Sequence, residues 1–236
     1  MYLYSRGMYN LGTSNSGTSI SGMYISEFNF NGGNMKKIIV GITGASGSIF
    51  AHRIIESLLS LGHEVHLVVS SNGEKVCAYE LNQSFETLIN HYKSLTANES
   101  TGHSKCFVYD NADLFSQIAS GSYKTDAMVV VPCSMGTLSK ISQGLSESLL
   151  TRAADVMIKE QRKLVLVTRE SPLSPIHLEN MLKLSRLGVV IMPPVPAFYN
   201  KPQTLAESVD MSVGRILELL NVENPHHKIW RNENEI

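Results

Sequence analysis

The sequence has little that could cross-link it or carry it into a membrane. Its three cysteines, Cys77, Cys106 and Cys133, stand far apart in 236 residues and form no Cys-x-x-Cys. That spacing supports neither a disulfide framework nor a zinc site, and it suits a reducing cytoplasm. No apolar run approaches the roughly 18 residues that a membrane-spanning helix needs. Charge of one sign is missing too. Twenty basic and 21 acidic residues leave a formal net charge of −1, so there is no basic field for nucleic acid. The eight histidines show no His-Glu-x-x-His or comparable ligand spacing, and the chain reads as metal-free. His177 and the pair His226–His227 read as surface or helix-cap residues. Two nucleotide signatures are absent as well. Without Gly-Lys-Ser/Thr there is no Walker loop, and without Tyr-x-x-x-Lys a short-chain dehydrogenase is disfavoured.

What is present describes one globular domain. Apolar residues make up 43% of the chain and charged residues 17%, ample for a full core at this length. Residues 1–34 differ from the rest. They are rich in Ser, Gly, Asn and Tyr, with Arg6 and Glu27 as their only charges. They read as a disordered N-terminal extension, and residues 35–236 as a single domain. Met35 directly precedes the first strand and could be the functional start.

The chain is organised around residues 37–53. Ile38, Ile39, Val40 and Ile42 are a β-branched apolar run, the composition of a doubly buried strand. Gly41, Gly44 and Gly47 follow at three-residue spacing. Ile49, Phe50, Ile54, Ile55, Leu58 and Leu59 then recur with helical period. Strand, glycine turn and helix place free N–H groups and a helix dipole where an anion would sit, with Ser46 and Ser48 beside them. A phosphate is the expected guest; ordinary serine capping is the plainer alternative. The glycines are not spaced as Gly-x-Gly-x-x-Gly, and the second strand, 64–70, ends in Ser70 and Ser71 rather than an acidic residue. NAD is therefore disfavoured, and a mononucleotide such as FMN remains.

Further strands are expected at 105–109, 127–132, 164–168 and 189–192. Helices are expected at 74–80, around 85–92, from the turn 133–137 onward, and at 149–163, 177–187 and 203–220. Alternating strands and helices imply an α/β fold with a parallel sheet covered on both faces. Ligands bind beyond the carboxyl ends of such strands. There the sequence gathers Ser46, Ser70, Ser134, Arg169, Glu170 and Tyr199.

The motifs Gly41-Ile-Thr-Gly-Ala-Ser-Gly47, Val131-Pro-Cys-Ser-Met-Gly-Thr137, Leu150-Thr-Arg-Ala-Ala-Asp-Val156, Lys159-Glu160, Arg169-Glu170, His177-Leu-Glu-Asn-Met-Leu182, Pro196-Ala-Phe-Tyr199 and Gly214-Arg215 occur in that order. From about Lys36 to Trp230 the chain resembles the UbiX-type flavin prenyltransferases, within the homo-oligomeric flavin proteins that also include cysteine decarboxylases. The resemblance implies a Rossmann-like three-layer fold with a six-stranded parallel sheet in the order 3-2-1-4-5-6. It implies reduced FMN and dimethylallyl phosphate as substrates and prenylated FMN as product, passed to a UbiD-type decarboxylase. It also implies a dodecamer with active sites between subunits. No metal is expected, since the leaving group is a monophosphate and the chain has no Asp-rich motif.

Roles carry over residue by residue. Gly44, Ala45, Ser46, Ser70, Ser134, Met135, Gly136, Thr137 and Arg152 look like FMN contacts. Lys159, Arg169, Tyr199 and Arg215 look like the clamp on the allylic phosphate, and Trp230 matches a tryptophan near the end of the family's chains. Glu80 and Glu170 match two active-site glutamates and, with Ser46 and Lys159, form the catalytic set. Lys159 falls two helical turns after Arg152, on the same face. Alone, these two and Arg215 would read as surface cations, and Glu80 as a helix-end carboxylate. Two rivals stand beside this reading. A cysteine-type decarboxylase would want an Asn in a Pro-x-x-x-Asn segment, where this chain has Pro132-Cys-Ser-Met-Gly136. The other rival is a non-catalytic FMN carrier.

Overall fold

The computed structural model describes residues 34–96 and 104–223. The expected extension, apart from Asn34, lies outside them, as does Trp230. Strands β1 (Lys37–Ile42), β2 (Glu64–Val69), β3 (Lys105–Tyr109), β4 (Ala127–Cys133), β5 (Lys163–Thr168) and β6 (Val190–Ile191) form one sheet in the order β3-β2-β1-β4-β5-β6. Every pairing is parallel. Helices α1 (Ser48–Ser60), α2 (Ser71–Glu80), α3 (Phe85–Leu95), α4 (Met135–Ser142), α5 (Leu149–Lys159), α6 (Pro175–Arg186) and α7 (Leu205–Leu219) make up the rest, with 3-10 turns at Gln117–Ala119 and Phe198–Asn200.

The six strands in their parallel order agree with the sequence, and the reason is burial. All seven residues of β4 and all six of β2 are buried, so neither strand alternates. Side chains from one face of the sheet, Ile38, Val40, Ile42 and Val129, pack with Ile54, Ile55 and Leu58 of α1 and Val213 and Ile216 of α7. From the other face, Ile39, Met128, Val130 and Leu166 pack with Leu138 of α4, Leu150 and Ala154 of α5, and Leu184 of α6. Each such aliphatic side chain contributes roughly 1.5–3 kcal/mol on leaving water.

Element ends differ where caps decide them. Helix α2 begins at Ser71 rather than 74, because the Ser70 hydroxyl accepts the Gly73 N–H at 3.1 Å. Helix α5 stops at Lys159 rather than 163, and Gln161, at φ 52°, turns the chain into β5. Helix α6 starts two residues early, at Pro175, behind a Ser174–His177 capping box. The 203–220 helix contracts to Leu205–Leu219, behind a Thr204 cap. Strand β6 shrinks from the expected 189–192 to two residues, and the prolines at 193 and 194 that follow cannot donate to a ladder.

Candidate active site at the carboxyl edge of the sheet

Backbone hydrogen bonds bring four strand ends into line. Ser70 N–H donates to Ile42 O, Thr43 N–H to Pro132 O and Arg169 N–H to Cys133 O, at 3.0, 3.3 and 3.2 Å. The Thr43 hydroxyl bridges the centre. It donates to Pro132 O at 2.7 Å and accepts the Ser134 N–H at 2.8 Å. Thr43 was not singled out in the sequence; its place inside the glycine motif, one residue past a strand, is the signal that could have found it.

Helices α1, α2 and α4 begin directly past these strand ends. At α4, the Ser134 hydroxyl accepts the Thr137 N–H at 3.3 Å and donates to the Thr137 hydroxyl at 3.1 Å. The amides of Met135 and Gly136 have no carbonyl of their own helix to bond. A side-chain carbon at Gly136 would meet nothing within 4 Å, so this first turn opens onto free space. Ser70 caps α2 in the same manner. Both serines are therefore caps first, the plainer alternative to a phosphate contact; the Ser134 hydroxyl already gives its proton to Thr137, whereas the Ser70 hydroxyl acts in its cap as an acceptor.

The start of α1 differs from expectation. Its N-cap is Gly47, in a left-handed conformation with φ 117°, and no side chain caps it. The anion it attracts comes from the chain itself. The Glu80 carboxylate accepts the Gly47 N–H at 3.0 Å and the Ser48 N–H at 2.7 Å, and the Ser46 hydroxyl also bonds to it. Burial pushes the Glu80 carboxyl up, but the Ser46 hydroxyl and the two amides outweigh it and hold the group below its ordinary value. Glu80 is thus an ionised acceptor, and the helix terminus read as a phosphate site is taken. Gly44 makes this turn possible: a Cβ there would stand 2.6 Å from Asn72 Cβ. Ala45 and Ser46 follow in the same loop.

Beyond β5, Arg169 and Glu170 are exposed. A Glu170 carboxylate oxygen accepts the Ser171 N–H at 3.0 Å. Tyr199, 59% exposed, lies in the turn after the edge strand β6.

Three cations remain, and two of them sit elsewhere. Arg152, in the first turn of α5, donates to Ala119 O at 3.0 Å and pairs with Asp155 at 2.9 Å. Lys159 is at the other end of α5, paired with Glu160. Its neighbour Arg162 donates to Gly121 O and Tyr123 O. The Tyr123 hydroxyl, in turn, reaches Glu64 and Lys37, the first residues of β2 and β1. Lys159 therefore stands at the amino edge of the sheet. Strands of six residues span about 20 Å, which a lysine side chain does not bridge. Arg215, late in α7, pairs with Glu218 at 2.8 Å, and the turn after α7 holds Asn221, whose carbonyl accepts from Lys36 beside β1. The structure thus brings Gly44, Ala45, Ser46, Glu80, Ser70, Ser134–Thr137, Arg169 and Glu170 to one edge. It leaves Lys159 and Arg215 at the opposite end of the same chain.

A parallel α/β/α sheet with serine-capped helix starts at its carboxyl edge is the frame of a nucleotide-binding flavoprotein. The Flavoprotein family model matches residues 31–222. The chain is 46% identical over 194 residues to the flavin prenyltransferase UbiX of Methanocaldococcus jannaschii, covering 82% of this chain and 98% of that protein. The crystal structure of AnUbiX (PadA1) in complex with FMN and dimethylallyl pyrophosphate superposes with a TM-score of 0.76 at 39% identity, over 84% of this chain and 99% of the other. A dodecameric FMN-dependent UbiX-like decarboxylase from Escherichia coli O157:H7 gives 0.74 at 42% identity, over 83% and 100%. The chain belongs to the flavoprotein family and, within it, to the UbiX flavin prenyltransferases, which are transferases. Among the described residues no helix is long and apolar enough to cross a membrane.

Proposed function

We propose that this protein joins the dimethylallyl group of dimethylallyl phosphate to reduced FMN, giving prenylated FMN for a UbiD-type decarboxylase. The observation that carries the reading is the alignment of β2, β1, β4 and β5 ends, which sets capped helix starts beside the Arg169–Glu170 pair. Hydroxyls, backbone amides and an arginine are the donor set a flavin phosphate wants, and free space over Gly136 gives it room.

In this reading Gly44, Ala45, Ser46, Ser70, Ser134, Met135, Gly136, Thr137 and Arg152 hold FMN. Because α1 is already occupied by Glu80, the phosphate goes to the start of α4. Reduced FMN supplies the nucleophilic nitrogen and carbon that the allyl group joins. Arg169 and Tyr199 bind the departing phosphate. Lys159 and Arg215 complete that clamp from neighbouring copies, since they lie too far from Arg169 within one chain, and Trp230 is the remaining substrate-binding residue of the reading. The dodecameric Escherichia coli relative supports a homododecamer here. Glu80, ionised and bonded to Ser46, accepts a proton at the flavin, and Glu170 delivers one to the leaving phosphate. The rest is positioning and exclusion of water from a reactive allylic centre. Free Cys77, Cys106 and Cys133 fit a reducing cytoplasm.

The test is mass spectrometry of the flavin after anaerobic incubation of the protein with reduced FMN and dimethylallyl phosphate, with the pyrophosphate in parallel. A flavin heavier by one five-carbon dimethylallyl unit is expected. Unchanged FMN with both donors would overturn the prenyltransferase reading and leave the cysteine-type decarboxylase and the carrier.

A further inference from the structure

Away from the flavin edge, α1 and α3 face each other across a cluster that the proposed reaction does not use. His52 and Glu56 lie one turn apart on α1, and His91 comes from α3. One ligand atom from each falls within 4.8 Å of the other two. His91 Nε2 is 2.9 Å from Glu56 Oε1, and His52 Nε2 is 3.5 Å from the same oxygen. The edge of a tetrahedron with zinc bonds near 2.05 Å is about 3.3 Å, so these separations straddle the ideal.

We propose that His52, Glu56 and His91 form a binding site for a borderline divalent metal ion, of the zinc class, that clamps α3 onto α1. Two imidazoles and one carboxylate suit such an ion rather than calcium or magnesium, which take oxygen ligands. The flanking groups orient the donors. The Tyr92 hydroxyl is 3.0 Å from His52 Nδ1, and an Nδ1–H bonded there leaves Nε2 with a free lone pair turned toward Glu56. Arg53 stands 3.7 Å from Glu56 Oε2 and reaches Asp210. Its charge lies on the Oε2 side of the carboxylate, and Oε1 is the oxygen that faces both histidines. Each of the three side chains is between 18 and 32% exposed, so an ion can enter, and water can fill the remaining position. Sequence spacing hides the site because His91 is 35 residues from Glu56.

The experiment uses the untagged full chain, loaded with FMN and stripped of metal by chelator followed by dialysis. Zinc chloride is titrated by calorimetry, cobalt chloride is followed by visible absorption, and the thermal midpoint is read with and without zinc. One zinc per chain, a tetrahedral cobalt spectrum and a raised midpoint are expected. His91→Gln and Glu56→Gln should each weaken zinc binding at least ~10-fold, with flavin absorbance unchanged as proof of folding. The double variant His226→Ala/His227→Ala should bind like the parent. No zinc uptake by the parent chain, undiminished binding in either cluster variant, or loss of binding with the histidine pair near the C terminus would overturn the proposal.

Discussion

At the carboxyl edge of the sheet the chain spends glycines, hydroxyls and backbone amides; at the amino edge it spends charges. The first edge is held by short bonds inside one chain. Thr43 ties β1 to the start of α4, and Glu80 ties the end of α2 to the start of α1. The second carries Lys159 with Glu160, and Lys37 with Glu64. A site built from backbone is preorganised by folding alone. Long charged side chains are cheaper to move, and so they can serve a neighbouring copy instead of their own. In the proposed function, the difference between the two edges is a difference between what one chain completes and what an assembly completes.

Glu170→Gln gives the largest break in this picture. It keeps shape and hydrogen bonds but cannot exchange a proton, and single-turnover appearance of prenylated flavin should slow at least ~100-fold while FMN absorbance persists. A wild-type rate would leave Glu170 as a structural neighbour of Arg169. The comparison sharpens when the edges are separated. Lys159→Ala and Glu170→Gln homomers should each be nearly inactive. Dissociated and reassembled together, they should regain a measurable fraction of activity, because some mixed sites then hold neither change. No recovery in verified mixed assemblies would place Lys159 and Glu170 in one chain's site.

Ser134→Ala removes a cap and one candidate phosphate donor, and should cost about 1 kcal/mol in denaturant unfolding. Glu80→Gln has an effect that depends on pH. A carboxyl held below its ordinary value of 4.5 stabilises fully above that pH, and its contribution is lost as pH falls through the folded-state value. The stability gap between parent and Glu80→Gln should thus be widest near neutrality and close in acid; a gap independent of pH would contradict the carboxylate–amide account. Truncation to Met35 should change neither folding nor turnover, as measured by thermal midpoint and product mass, since the removed residues carry no periodic apolar pattern.

The strands were legible because each is a short run rich in β-branched or aromatic residues, and the edge was legible because small polar residues follow β1, β2 and β4. What could not be read was pairing across the fold. Nothing local to Ser48 announces that its amide will meet a carboxylate 32 residues away. Helical spacing rightly put Arg152 and Lys159 on one face, yet seven residues are about 10 Å of helix. Which end of α5 lies at which edge follows only from the turn at Gln161 and the start of β5. The His52–Glu56–His91 cluster is the same case, two helices whose facing is a property of the core between them.

The Thr43 bridge has a mechanical consequence. The sheet divides at β1 and β4 into two halves wound in opposite directions, and a ligand crevice lies over that division. One hydroxyl, bonded at 2.7 and 2.8 Å to groups on the far side, pins the halves like a rivet through a folding rule. In the proposed reaction the product is bulkier than the flavin that entered, and the room for it lies toward the rim rather than in the floor that Thr43 ties together.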